Sequence, residues 1–163
     1  MWHAVRPKLW LPTDAWDFMK ANADEKAPKE TGGILFGYWI DRFGEVVVSE
    51  IIGPGPDAEH ERSHFRPDAD YQESELARLY EEYGRLHTYL GDWHTHPIGG
   101  AYLSRKDRRT LRNIARYEPA RAPFPIMAVM ARERIDWTVL AWRWPGRGPR
   151  WPSYPRFEVE LYG

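Results

Sequence analysis

Apolar positions along the chain alternate between a period near two and a period near 3.6, and the changes of period divide it into elements. Gly33-Ile34-Leu35-Phe36-Gly37-Tyr38-Trp39-Ile40 is almost wholly apolar, and Glu45-Val46-Val47-Val48-Ser49-Glu50-Ile51-Ile52 is rich in β-branched residues. Both predict strands, joined by a turn around Asp41 to Gly44. Thr88 to His96 predicts a third strand, stopped by Pro97, while Phe124 to Ala131 and Ile135 to Trp142 predict a final pair. Between strands, Tyr71, Leu76, Leu79, Tyr80 and Tyr83 recur at helical spacing after a cap at Asp68 or Asp70 and before Gly84. Ser104 to Tyr117 predicts another helix, and Ala15, Phe18 and Met19 a shorter one, capped at Thr13 or Asp14 and ended by Pro28. Helices and strands are thus mixed along one chain, which predicts an α/β (mixed α+β) domain of packed layers.

The last stretch changes character. Trp144 to Arg156 holds Pro145, Pro149, Pro152 and Pro155 with Gly146 and Gly148, so the expectation is a single domain over 1–163 whose C-terminal segment, from about 144, lies extended. With 163 residues, 42% hydrophobic, 9 Trp and 9 Tyr, the chain is long enough for one aromatic-rich core and short for two. It contains no cysteine, which excludes disulfides, a Cys nucleophile and thiolate metal sites, so a metal here must be held by His, Asp or Glu. No apolar run approaches the roughly 20 residues needed to span a bilayer, and Met1 to Trp10 lacks a signal-peptide core; the expectation is a soluble cytoplasmic protein. The formal net charge is -1, yet from Ser104 onward 13 Lys and Arg face only 6 Asp and Glu. Arg105, Lys106, Arg108, Arg109, Arg112 and Arg116 read first as a solvated helix face, with contact to an acidic partner as the alternative.

Two stretches offer paired histidines. His60-Glu61-Arg62-Ser63-His64 fits H-E-x-x-H, whose chemistry requires a sustained helix to bring both imidazoles onto one face. Gly53-Pro54-Gly55-Pro56 and Arg66-Pro67 bracket it and deny that helix, so an exposed loop or edge strand is expected there, away from any metal. His94 and His96 lie two apart in a predicted strand and therefore project to one face. Asp107, in the first turn of the next helix, can add a carboxylate, which leaves the fourth position of a tetrahedral zinc to water, as in catalytic sites. Taken singly, the two histidines also fit as ordinary strand residues, and Ser104 with Asp107 as a capping box. Glu30, ahead of Thr31-Gly32-Gly33, is by itself an ordinary exposed Glu at a helix end.

Together, Glu30, Gly32, Gly33, His94-Thr95-His96-Pro97, Ser104 and Asp107 resemble the signature of the JAB/MPN/Mov34 metalloproteases, the JAMM family, over about Thr13 to Trp142. ETGGILFGYW, FRPD and YLGDWHTHP resemble most the compact prokaryotic JAB proteins. Leu103 stands where many relatives have proline, and the Cys and His residues of a second zinc site in some eukaryotic deubiquitinases have no counterpart. The resemblance implies a cytidine-deaminase-like JAB/MPN fold, a mixed central sheet flanked by helices. It implies Zn2+ held by His94, His96 and Asp107, with Glu30 as general base and Ser104 as oxyanion donor. It also implies an isopeptidase or processing endopeptidase, deubiquitinase-like, that cleaves after the C-terminus of a ubiquitin-like protein, with E1-like and E2-like operon partners in bacterial antiphage systems. A RadC-like, nucleic-acid-associated role is disfavoured by the net charge and the lack of an aromatic stacking motif. A noncatalytic zinc-containing binding module remains the other alternative; the open fourth position and Glu30 argue against it.

Overall fold

A computed structural model describes residues 5–42, 44–148 and 153–163. Its strands are β1 (Lys8–Pro12), β2 (Gly32–Trp39), β3 (Val46–Ile52), β4 (Glu59–His60), β5 (Phe65–Arg66), β6 (Thr88–His96), β7 (Ile126–Glu133), β8 (Asp136–Arg143) and β9 (Arg156–Tyr162). The helices are α1 (Thr13–Lys26), α2 (Ala69–Glu82) and α3 (Arg105–Arg116), with a 3-10 turn at Glu118–Ala120. Seven strands form one mixed sheet in the order β1-β3-β2-β6-β7-β8-β9, closed into a barrel by the parallel pairing of β1 with β9. No helix among the described residues is long and apolar enough to cross a membrane.

The continuous apolar runs follow from burial on both faces of the central strands. On β2, Leu35 points into the main core with Leu9, Val46, Val48, Trp93 and Met130, while Ile34 and Phe36 point the other way, against Leu79 of α2. On β7, Ala128 and Met130 face the main core, whereas Met127 and Val129 pack under Leu111 of α3. Helix α1 adds Ala15, Met19 and Ala23 to the main core. Helices α2 and α3 therefore lie on the same outer face of the sheet, and β6 runs between the strands they cover.

Strand β6 departs from a strict period of two. Leu90 and Trp93, three apart, both enter the main core, because the pairing with β2 slips between Leu35 and Phe36 and leaves Leu90 as a bulge. Gly91 absorbs the distortion at φ 148°, and a Cβ there would lie 1.9 Å from Ile126 O. After the bulge, alternation resumes with Trp93 and Thr95 buried, and Asp92, His94 and His96 on the outer face between α2 and α3.

Three expectations change. The expected extended segment from about 144 does not run to the end as an unpaired tail: Arg156–Tyr162 is β9, paired antiparallel to β8 and parallel to β1, with Phe157 buried in the main core. The prolines upstream hid the alternation of Phe157, Val159 and Leu161; Pro149 and Pro152 lie outside the described residues. Strand β1 went unread because it is only five residues long and ends at Pro12, against α1. Neither Thr13 nor Asp14 is the residue before α1: that is Pro12, and Thr13 instead donates its hydroxyl to Tyr162 O of β9. Asp68 does cap α2, accepting from Tyr71 N.

Candidate metal centre

At the end of β6, His94 Nε2 and His96 Nε2 come within 3.0 Å of each other. Asp107, in the first turn of α3, brings Oδ1 to 3.1 Å from His94 Nε2 and Oδ2 to 3.7 Å from His96 Nε2. Donors bound to one tetrahedral zinc at about 2.0 to 2.1 Å stand about 3.3 Å apart, so this set fits such an ion. It is also the group of described His, Asp and Glu residues whose ligand atoms lie close enough to hold one. The second ring nitrogen of His96 meets a backbone carbonyl, as in many zinc-ligating imidazoles, whereas that of His94 meets a thioether. His96 Nδ1 lies 3.2 Å from Gly100 O, to which it donates, leaving the Nε2 lone pair for a metal; His94 Nδ1 lies 3.2 Å from Met127 Sδ.

The start of α3 explains how Asp107 arrives there. Ser104 Oγ accepts from Asp107 N at 3.1 Å while Asp107 Oδ2 accepts from Ser104 N at 2.8 Å, a complete capping box. The same carboxylate keeps Oδ1 for the histidine side, so the cap and the metal-donor readings of the sequence are both realised. Ser104 Oγ accepts one bond in the cap and retains its O–H to donate into the cleft it lines.

Glu30 reaches the same cleft from the loop between α1 and β2. Thr31 beside it is fully buried and fastened to β6, since Thr31 N donates to Thr95 Oγ1 and Thr95 N to Thr31 O, each at 2.9 Å. Thr95 faces inward between the two outward histidines, so this fastening sets Glu30 in register with them. The glycines that follow let β2 approach closely. A Cβ on Gly32 would lie 2.4 Å from Trp93 O and 2.9 Å from His94 Cβ, and one on Gly33 would lie 1.9 Å from Ile52 O.

Burial shapes the electrostatics. It raises the Glu30 carboxyl above its ordinary range, against the pull of His94 and Lys106. It opposes ionisation of Asp107 too, but the contact with His94 and the bonds with Ser104 outweigh it and hold that carboxyl down to about 2. Burial lowers His96, favouring the neutral ring a metal requires. Asp92, one alternation before His94, is pushed up to about 6 by burial despite accepting from Tyr89 Oη at 2.8 Å. A weakly basic acid, a donor set with an anionic member and a hydroxyl donor thus share one cleft of about 540 Å³.

His60 and His64 lie outside the donor group. Their segment is the β4/β5 hairpin, an edge as expected, but it also walls the cleft with Arg62, Ser63 and Phe65. Gln72 carried no signal in the sequence, and Arg62, Ser63, Phe65 and Lys106 stood out there for other reasons than a place in this cleft; Asp92 did carry one, since it continues the alternation of His94 and His96.

The family of prokaryotic homologs of the JAB domain matches residues 12–144. A probable metalloprotease of Sinorhizobium fredii, y4qB, is 40% identical over 138 residues, 83% of this chain and 84% of that protein. A CD-NTase/cGAS isopeptidase of Vibrio cholerae is 32% identical over 84 residues, 51% of this chain and 52% of that protein. The solution structure of protein DSY2949 from Desulfitobacterium hafniense superposes with a TM-score of 0.68 at 19% identity, covering 94% of this chain and 92% of the other, a likeness of fold alone. The mixed sheet with three helices is accordingly the JAB/MPN fold. From residue 12 to residue 144 the chain belongs to the prokaryotic JAB family, and it is a protease of the JAMM type.

Proposed function

We propose that the chain is a zinc-dependent isopeptidase or processing endopeptidase acting at the C-terminus of a ubiquitin-like protein in a bacterial conjugation pathway of antiphage type. The observation that carries this reading is the convergence of Glu30, Ser104 and the His94-His96-Asp107 donors on one cleft. His94, His96 and Asp107 would hold the ion, which when bound supplies Lewis acidity sufficient to make water a nucleophile near neutral pH. Glu30, its basicity raised by burial, accepts the proton of the attacking water and returns it to the departing nitrogen. That return is required because a Lys amine of pKa near 10.4 leaves poorly as an anion. Ser104 Oγ–H donates to the carbonyl oxygen as charge develops there. The designation of the Vibrio cholerae relative as an isopeptidase supports an amide on a Lys side chain as the scissile bond. E1-like and E2-like enzymes, which would form the conjugates this reaction cleaves, are the partners that go with this reading.

The test uses the ubiquitin-like protein encoded beside this chain's gene, fused through its C-terminus to a reporter. Glu30→Gln is expected to retain stoichiometric zinc and lose cleavage, whereas His94→Ala loses both. Wild-type cleavage by Glu30→Gln would remove the base from this scheme, and failure of the purified protein to take up zinc would remove the metal.

A further inference from the structure

The hairpin that walls the cleft also grips the acid within it. Glu30 precedes β2 and takes part in no strand ladder, so its main-chain groups need other partners. Two consecutive hairpin residues supply both. Glu30 N donates to Glu61 O at 2.7 Å, and His60 Nδ1 lies 2.9 Å from Glu30 O. A carbonyl only accepts, so the proton of the imidazole resides on Nδ1.

The grip is rigid on the hairpin's own side. Glu61 N donates to His64 O at 2.8 Å, Glu59 and His60 pair with Arg66 and Phe65, and Arg66 also forms an ion pair with Glu59. The His60 ring lies against Phe65, with centroids 5.4 Å apart and planes 32° from parallel, which sets the direction of Nδ1. Phe65 in turn rests on Gly32, where its Cε1 would be 3.0 Å from a Cβ. At the hairpin's far end, Lys106 Nζ reaches His64 Nδ1 at 2.9 Å, so the hairpin bridges the loop of Glu30 and the helix of Asp107.

We infer that His60 is a positioning residue for the reaction, which through its bond to Glu30 O, and with Glu61, holds the carboxylate of Glu30 in place over the metal donors. The inference rests on Glu30 being the base. A glutamate has three side-chain torsions, and freedom of its main chain adds to them; a misplacement of about 1 Å at a reacting group costs on the order of 100-fold in rate. Clamping both main-chain groups removes that second source of freedom. The zincin-like pattern thereby acquires a different use: His60 touches the base rather than the metal, and His64 ties the clamp to α3.

The experiment compares His60→Ala and His60→Asn, whose side-chain amide can replace Nδ1–H as donor to the carbonyl, with Glu30→Gln alongside. Cleavage of the reporter fusion gives kcat and KM, zinc content is measured, and amide exchange at Glu30 is followed by NMR in the full chain. In His60→Ala, kcat should fall about 10-fold to 100-fold with KM and zinc content unchanged. Exchange at Glu30 should accelerate at least about tenfold as its bond to Glu61 loosens, with the β2 amides unaffected. His60→Asn should restore both. Wild-type kcat or wild-type exchange in His60→Ala overturns the inference, as does an effect confined to KM or a His60→Asn variant no better than alanine. Full activity in Glu30→Gln instead overturns the reading of the base, and the exchange arm still reports whether the clamp exists.

Discussion

Asp107 divides its work between two oxygens, Oδ2 to the N-terminus of α3 and Oδ1 to His94, and its neighbour Ser104 divides its own between cap and cleft. Replacing Ser104 separates the two uses. Ser104→Ala removes a cap worth about 1 kcal/mol and the hydroxyl proposed above as oxyanion donor, a role whose loss costs on the order of 100-fold to 1000-fold in rate. Ser104→Thr keeps both groups. Denaturant titration should therefore show a small stability loss in the alanine variant alone, and steady-state kinetics a large loss of kcat in the same variant. A second residue-scale consequence concerns Gly33, where a Cβ would meet Ile52 O at 1.9 Å. Gly33→Ala must push β2 from β3 and should cost about 1 to 3 kcal/mol of unfolding free energy in a urea titration. At this scale the sequence was informative: His94, His96, Asp107, Ser104 and Glu30 all line one cleft. The hairpin's share was not legible, because the bond between His60 and Glu30 joins residues 30 apart whose pairing obeys no local spacing rule.

Between elements, the junction of α2 with β6 contains a titratable group remote from the cleft. His87 stacks on Tyr83 at 4.3 Å, lies 4.8 Å from Tyr38, and contacts Ser49 Oγ through Nδ1 at 2.8 Å. Burial lowers its pKa below 6.5, with only Glu50 opposing. As pH falls through 6.5, the unfolded chain therefore takes a proton that the folded chain resists, and stability declines. Melting temperatures should drop between pH 7.5 and pH 5.5 by more in the wild type than in His87→Phe. Equal drops would show that this ring does not contribute to the acid limb. Element legibility was uneven for physical reasons. Strand β6 was read over its full Thr88–His96 span because its composition is that of a strand and Pro97 stops it, yet its bulge at Leu90 and Gly91 was not, since a bulge is defined by the partner strand.

For the molecule as a whole, closure of the sheet by β9 against β1 connects the ends of the described chain. Truncation after Pro155 removes Phe157 from the main core and leaves β1 and β8 with open edges. The truncated protein should lose its cooperative melting transition, as followed by circular dichroism. The proposed zinc would act at the same scale, because its ligands would come from β6 and α3, and an ion binding only the folded state stabilises it by about 2.7 kcal/mol at 100 times its Kd. A thermal shift should appear on zinc addition to chelator-treated protein and disappear in His94→Ala.

Local chemistry determined a great deal here. Apolar periodicity specified most strands and all three helices, the prolines around His60 to His64 ruled out a zincin helix, and two histidines two apart in a strand had to share a face. These features are legible because each depends on residues within a turn or two of one another. The tertiary structure alone decided that a proline-rich tail ends in a barrel-closing strand, that a bulge turns Asp92, His94 and His96 outward between α2 and α3, and that the rejected histidine motif hydrogen-bonds the main chain of Glu30. In each case the partner lies tens of residues away along the chain, and contacts at that separation are set by how the layers pack rather than by any pattern within a segment.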